Sequence, residues 1–297
     1  MAEASTPVAP ADARATRLKV PPSVEQIVKL TRYQLREYLR SRRFVILTVL
    51  IAVIGVIVTA VVAYFRGSLV SNNLAFYASF WGGGANVVIV LSAVFFGGDA
   101  IAGEFQNKTG YFLMGLPIRR ATVYIGKYIA AFAASLAVLL LFVVILLGNG
   151  AYYFGADALP WQLGVSLVLA VVYLTAVLGA TFLFSSLFKT SAYGFVLTAV
   201  LFLFGFTLLQ ALMTGLVKTE PWMVISYANG VIGNVFSSSV NWGWVGQTTT
   251  TRGFGPGAGD TITTYTPGIL EGVGIMLAYF VLTAVAGLAL FEREEFS

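Results

Sequence analysis

Six long apolar stretches, separated by shorter polar segments, dominate this sequence. A helix needs about 20 apolar residues to cross the hydrocarbon core of a bilayer. Strands of a membrane barrel would instead alternate apolar and polar residues over about ten positions, and these stretches do not alternate. The pattern therefore predicts six membrane-spanning helices: Phe44–Phe65, Ala85–Ile101, Ala121–Leu147, Trp161–Phe188, Ala192–Thr214 and Ile269–Phe291. The second could begin earlier, near Ala78, with Gly82–Gly84 as a weak point.

Two segments precede the six-helix membrane domain, which we place at residues 44–297. Residues 1–22 contain Ala, Pro and charges without an apolar core, which predicts a disordered tail. In Ser23–Arg43, apolar residues recur at helical spacing beside a row of Lys and Arg. That pattern predicts an amphipathic elbow helix lying along the membrane surface. The helix either serves only as an anchor for the topology or also contacts a partner protein.

The long segment 215–268 joins the fifth and sixth predicted helices on the outer side. Its first part, Pro221–Phe236, is apolar and aromatic but too short to cross the membrane, which predicts re-entrant or interfacial helices that act as an outer lid. Its second part, Ser237–Pro267, is rich in Thr, Gly and Ser, which predicts an exposed loop.

The composition supports an all-α polytopic membrane protein. Hydrophobic residues make up 58% of the chain and charged residues 10%, and the mean hydropathy is +0.85. Of the 18 Lys and Arg residues, only Arg66, Lys218 and Arg252 fall on one side of the predicted helices. The positive-inside rule then places both termini in the cytoplasm and the protein in the plasma membrane. The net charge of +5 follows from this topology and from contact with membrane lipids, so we expect no nucleic-acid partner.

The sequence lacks several residue types and motifs on which enzyme active sites commonly depend. The chain has no Cys and no His, which removes disulfides, Cys or His metal sites and Ser–His or Cys–His nucleophile systems. It has neither a G-x-S-x-G elbow nor a phosphate-binding G-x-x-x-x-G-K-[ST] loop. We therefore expect no catalytic residue, no metal and no ATP bound by this chain itself. Ionisable groups are missing from the predicted bilayer midplane, which argues against an ion-driven secondary carrier.

The hairpin between the second and third predicted helices has the most distinctive sequence, GDAIAGEFQNKTGYFLMGLPIRRATVYIGK, at residues 98–127. It combines charges, Gly and Pro117 with a short apolar stretch, Tyr111–Leu116. An apolar patch with a charged rim on the cytoplasmic side favours a protein contact. The alternative is a loop that dips into the membrane.

This hairpin resembles the corresponding segment of ABC-2 type transporter permeases. The shared pattern is G-D-x-I-x-x-E-x-x-x-K-T-G-x-x-x-x-x-x-P-I-x-R-x-x-x-x-x-G-K, and the wording NKTGYFLMGLPIRR is most similar to archaeal members. The basic elbow helix, six helices and inward termini fit the same family. The resemblance implies the ABC-2, type V exporter-like fold. It also implies a separate ATP-binding subunit that carries ATP and magnesium, and a second permease copy that forms a homodimer or pairs with a paralogue.

The resemblance assigns roles to particular residues. A coupling hairpin at residues 99–120 would dock on the ATP-binding subunit through Glu104, Lys108, Thr109, Tyr111, Phe112, Leu113 and Pro117. The residues that would anchor the hairpin to the membrane and the elbow helix are Asp99, Arg119, Arg120 and Lys127, with Arg36 and Arg40 on the elbow helix. Lys127 lies about two turns into its helix and is expected to snorkel to the cytoplasmic surface.

The first, second and fifth helices would line a central pathway. Its candidate residues are Asn86, Phe206, Thr207 and Gln210, and the aromatic and polar mixture favours an amphiphilic or apolar cargo. Export fits better than import because no substrate-capturing domain is present. Two other functions remain open. One is a membrane scaffold or sensor that uses the same hairpin without transporting anything, and the other is a secondary carrier.

Overall fold

A computed structural model describes residues 22–64, 72–107, 118–155, 159–188, 190–237, 239–252 and 261–293. Six helices in these ranges are long and apolar enough to cross a membrane. We call them spans 1 to 6, and they are Arg42–Tyr64, Asn73–Gln106, Arg120–Phe154, Gln162–Leu187, Ser191–Val217 and Ile269–Arg293. The predicted number of spans and the all-α polytopic fold class are confirmed.

Span 2 is longer than its apolar stretch indicated. It begins at Asn73, twelve residues before Ala85, with the Asn72 side chain accepting a hydrogen bond from the Leu74 amide at 3.1 Å. A wider π-helical turn, Ala78–Gly82, leads into the regular helix Gly83–Gly97. The possible earlier start is therefore confirmed, and the irregular turn ends at Gly82, the first residue of the predicted weak point, although the helix continues through it. The glycines allow close packing instead: a Cβ on Gly82 would lie 2.9 Å from the Gly233 backbone.

The elbow helix, Ser23–Arg40, ends three residues earlier than predicted because Ser41 breaks it. The Ser41 backbone is extended, its hydroxyl donates to the Tyr38 carbonyl at 2.7 Å, and its oxygen accepts from the Phe44 amide at 3.2 Å. One side chain thus closes the elbow helix and caps the start of span 1. The chain turns from the elbow helix into span 1 at this residue.

The elbow helix packs on span 3. Thr31 donates to the Gly126 carbonyl at 3.1 Å, and a Cβ on Gly126 would lie 2.8 Å from the Leu30 side chain. By contrast, Val24 and Val28 are 71% and 60% exposed. The apolar stripe of the elbow helix is thus divided between a protein contact and a free surface suited to lipid.

The segment between spans 5 and 6 contains two short helices and a β-hairpin at the opposite end of the bundle. The helices, Ile225–Asn229 and Val231–Asn234, bury their apolar side chains against spans 2, 4 and 6. We call them the lid helices. Strands β1 (Gln247–Arg252) and β2 (Thr261–Thr266) pair antiparallel, with Thr249 opposite Thr264. The predicted exposed loop is therefore partly a hairpin, because β-branched Thr favours extended backbone.

The core lies between spans 2, 3 and 4, and span 6 packs along span 4. A Cβ on Gly179 of span 4 would lie 2.6 Å from Thr283 Oγ1 of span 6, so a glycine sets this close approach. Spans 1 and 5 are peripheral. Only 22% and 11% of the residues in their most apolar stretches are buried within the chain, and span 6, also at 11%, is equally exposed, which leaves three long apolar faces for lipid or another subunit.

Candidate coupling site

The last part of span 2 is held on three sides at the elbow end of the bundle, the end that carries the elbow helix. Its regular helix ends at Gly97, the chain turns at 98–101, and the span closes with a short helix, Ala102–Gln106, which we call the hairpin helix. Gly98 allows the turn to pack tightly, since a Cβ there would lie 3.2 Å from the Phe195 backbone of span 5. Asp99 forms an ion pair with Arg43 at the start of span 1.

Lys127 of span 3 contacts the hairpin helix from the second side. Its ammonium forms an ion pair with Glu104 and donates to the Ala100 carbonyl at 2.8 Å. The lysine is 4% exposed, so the prediction that it snorkels to the surface is wrong. A buried ammonium is tolerable only when it is paired, and the pair therefore fixes the position of the hairpin helix relative to span 3.

Ser185 of span 4 caps the hairpin helix from the third side. Its oxygen accepts hydrogen bonds from the amides of Ile101 and Ala102, both at 3.1 Å. These amides lie at the helix start, where no carbonyl within the helix is available to them. Ser185 is fully buried, so water does not substitute for it. A residue 84 positions away thus performs the role of an N-cap.

Tyr38 connects the elbow helix to the same turn. Its hydroxyl donates to the Phe96 carbonyl at 3.0 Å, and its ring packs on Phe96 with the centroids 5.4 Å apart. Burial, and then the charges of Asp99 and Glu37, raise the pKa of the Tyr38 phenol above its ordinary value. Tyr38 therefore stays protonated and remains a hydrogen-bond donor at physiological pH.

A cleft of about 510 Å³ opens between the elbow helix and the hairpin helix. Its polar lining includes the carboxylates of Glu37, Asp99 and Glu104 and the cations of Arg43 and Lys127. Two of the carboxylates are paired with the two cations, and the Gln34 amide donates to Glu37 at 2.9 Å. Within the ranges that the structure describes, no cluster of three or more Asp or Glu residues is suited to hold a metal ion.

The predicted docking residues fall mainly outside the described ranges. Lys108, Thr109, Tyr111, Phe112, Leu113 and Pro117 all lie between residues 108 and 117, which the structure does not describe. Glu104 is described, and its carboxylate faces Lys127 within the bundle. Its contact is therefore internal to the chain, although sequence reasoning assigned it to the partner.

The structure separates the predicted anchoring residues into two groups. Asp99 and Lys127 hold the hairpin, and Arg120 donates to the Glu292 carbonyl of span 6 at 2.9 Å. Arg119 is exposed at the start of span 3, and Arg36 and Arg40 are exposed on the elbow helix. Neither of these two elbow arginines forms an ion pair or hydrogen bond with a described residue. The inner elbow face instead presents Thr31, Gln34 and Tyr38.

The candidate pathway residues are not all together. Gln210 and Phe206 of span 5 share a partner, because the Ser226 hydroxyl of the lid lies 2.7 Å from Gln210 Oε1 and 3.0 Å from the Phe206 carbonyl. Thr207 is exposed on the same span. Asn86 is apart from them, since its Oδ1 accepts from Tyr173 of span 4 at 2.9 Å inside the bundle. Gln210 therefore stabilises the contact between span 5 and the lid, and Asn86 the contact between spans 2 and 4.

Sequence reasoning missed Arg43, Tyr38 and Ser185 as parts of this site. In the sequence, Arg43 is one of the row of Lys and Arg residues on Ser23–Arg43, and Tyr38 is one of the residues at helical spacing on its apolar face. Ser185 had a weak signal, since it lies in an apolar stretch, FLFSSLF at 182–188, where a buried hydroxyl needs a partner. Nothing local indicated that this partner would be the hairpin helix.

These features define a polytopic helical membrane protein with an ordered, charged hairpin base beside an amphipathic elbow helix. Residues 29–296 match the sequence model of the ABC-2 family transporter protein. The chain therefore belongs to the ABC-2 transporter family, and it is a multi-pass transport permease. Permeases of this family generally pair with an ATP-binding subunit. A search of curated proteins finds no match to the chain.

Proposed function

We propose that this chain is the membrane subunit of an ATP-driven exporter, coupled to a separate ATP-binding subunit through the hairpin after span 2. The observation that carries this proposal is the hairpin base. Contacts from Arg43, Lys127 and Ser185 join the hairpin to spans 1, 3 and 4 at one point. A push on a hairpin held in this way would move several spans together, as mechanical coupling requires.

The proposal places the elbow end in the cytoplasm. The basic residues of the elbow helix and of the start of span 3 lie at that end, which supports this orientation under the positive-inside rule. The lid helices and β-hairpin then face outward. ATP and magnesium would bind to the partner subunit, because this sequence has no phosphate-binding loop of its own.

A second permease copy completes the proposed assembly. The exposed faces of spans 1 and 5 support it, because Val56 and Phe204 are 68% and 69% exposed and such faces are available for helix packing. Span 5 carries Gln210, which the lid residue Ser226 contacts on its inner side. A pathway between two copies would therefore be bordered by the lid.

The experiment that tests coupling is copurification with the ATP-binding subunit in mild detergent, followed by ATPase and vesicle transport assays. Replacing both Phe112 and Leu113 with Ser is expected to reduce association at least tenfold. A matched control, Thr249→Ser in β1, removes one methyl group from an exposed side chain at the other end of the bundle and should bind like the wild type. Unchanged association in the double variant would refute docking through the hairpin. Association without ATP-dependent flux of any cargo would indicate a scaffold or sensor.

A further inference from the structure

A groove between spans 3 and 6 has a lining suited to a lipid chain. Its volume is about 260 Å³. Tyr124 and Tyr128 of span 3 line one side, and Phe280, Ala284 and Leu288 of span 6 line the other. The small Ala284 side chain lies between two large ones and leaves the space open. No charged side chain of a described residue contributes to the lining.

The aromatic floor of this groove is fixed by span 4. The Tyr128 hydroxyl donates to the Thr175 carbonyl at 2.8 Å. The rings of Tyr124 and Tyr128 both pack on Phe182, with centroid distances of 5.5 and 5.2 Å. The groove therefore exists before anything occupies it, and a ligand would not have to order these side chains.

The groove lies in the half of the membrane on the elbow side. Leu288 is five residues before the end of span 6 at Arg293, and Phe280 is thirteen residues before it. At 1.5 Å per residue these positions are about 7 and 20 Å from the end of the helix. One leaflet contributes about 15 Å of hydrocarbon. The groove thus follows the depth that a lipid chain of this leaflet occupies.

Arginines lie one helical turn beyond the elbow-side end of the groove lining. Arg120 is one turn before Tyr124, Glu292 is one turn after Leu288, and the Arg120 side chain donates to the Glu292 carbonyl at 2.9 Å. Arg119 and Arg293 are exposed nearby, together with the Glu292 side chain. Guanidinium groups bind phosphate oxygens through paired, charge-assisted hydrogen bonds.

We propose that this groove binds one phospholipid, with a chain on the Tyr124–Tyr128 floor and its phosphate at Arg119 and Arg120. The combination of an apolar trough with a cationic end at the membrane surface matches the two halves of such a lipid. A membrane span of a second copy of this chain would fit the apolar part of the site but not its cationic end. The apolar lining of the site is formed by spans 3 and 6 alone, whereas Arg119 and Arg120 lie at the end of the predicted coupling hairpin, residues 99–120.

Native mass spectrometry of the delipidated full-length permease, titrated with phosphatidylglycerol, phosphatidylcholine or diacylglycerol, tests the proposal. We expect one tightly bound molecule of either phospholipid, and at least tenfold weaker binding of diacylglycerol, which lacks the phosphate. Ala284→Trp fills the groove and should weaken phospholipid binding at least tenfold. Ala284→Leu, a milder change in case the Trp variant does not fold, should weaken it about threefold. Arg120→Gln should weaken phospholipid binding and remove the preference over diacylglycerol.

The matched controls are Leu282→Trp and Arg32→Gln. Leu282 is 69% exposed on span 6 outside the groove, and Arg32 is an exposed arginine of the elbow helix. Both should bind phospholipid like the wild type. If the Ala284 variants bind phospholipid as tightly as Leu282→Trp, the assignment of the groove is wrong. Equal binding of diacylglycerol and phospholipid by the wild type would overturn the role of the arginines, and a second copy bound in place of lipid would overturn the proposed occupant.

Discussion

Replacing Lys127 with Met should destabilise the protein far more than replacing an exposed lysine. Met keeps most of the volume of the lysine stem but removes the charge. The Glu104 carboxylate, 19% exposed, then loses its partner, and the Ala100 carbonyl loses a hydrogen bond of 2.8 Å. Breaking a buried pair from one side costs about 3–5 kcal/mol, and partial access of water to Glu104 reduces this to about 2–3 kcal/mol.

The control is Lys29→Met, which breaks the Lys29–Glu25 pair on the elbow helix. Its side chains are 68% and 48% exposed, so the loss should stay below about 0.5 kcal/mol. Adding Glu104→Gln to Lys127→Met removes the orphaned charge and should recover most of the lost stability. The double-mutant cycle should thus give a coupling free energy of about 2 kcal/mol.

Thermal unfolding in one detergent at one scan rate measures the effect. At about 2–4 °C per kcal/mol, Lys127→Met should lower the Tm by about 5–10 °C, whereas the control should shift it by about 2 °C or less. Hydrogen exchange at residues 100–106 should also accelerate in Lys127→Met. A Tm for Lys127→Met close to that of Lys29→Met, or further destabilisation by the added Glu104→Gln, would refute the assignment of the pair as the anchor of the hairpin.

Two further predictions concern single contacts, and a third concerns the topology. Ser185→Ala removes the acceptor of the Ile101 and Ala102 amides, which should cost about 1–3 kcal/mol of stability and speed hydrogen exchange at those amides. Ser186→Ala is the control, since the Ser186 hydroxyl donates only to the Phe182 carbonyl of its own helix. Equal effects of the two substitutions would contradict the role of Ser185 as a cap. Gly246→Ala places a Cβ 2.0 Å from Glu220 Oε1 and should loosen the β-hairpin, seen as faster proteolysis there, whereas Gly215→Ala meets no atom within 4 Å and should not. Because the chain has no Cys, single Cys residues at Arg32 and Thr249 should react with impermeant maleimide from opposite sides of sealed vesicles, and labelling from the same side would refute the topology.

The spans were predictable from the sequence because their signal is local. A helix inside a bilayer satisfies its backbone hydrogen bonds within itself, so length and hydropathy suffice to find it. Length and hydropathy did not place the start of span 2 at Asn73. Asn73–Gly84 includes Asn, Ser and five Gly or Ala positions. Packing on the lid and on span 3 supports its helicity, as shown by Gly84 lying against the Phe142 ring. Hydropathy contains no information about such contacts.

The parts of the coupling site that the sequence indicated were charges at the ends of helices. Asp99, Glu104 and Lys127 attracted attention because charge is rare in this chain, and the structure places all three around one turn. Their partners could not be assigned, because a pairing depends on which spans are neighbours. Arg36 and Arg40 were as plausible as Arg43 by sequence distance, yet only Arg43 follows the break at Ser41 and reaches Asp99.

The sequence by itself determined the class of this protein: six apolar stretches of 17 to 28 residues, an amphipathic basic helix before them, and one charged hairpin. These are properties of consecutive residues, because the bilayer sets the length and hydropathy that each spanning helix needs. The tertiary structure alone decided which polar groups meet. Ser185 caps a helix 84 residues away and Tyr38 donates to Phe96 because the packing of the whole bundle sets which elements are neighbours, as where Gly98 lies against Phe195 and Gly126 against Leu30.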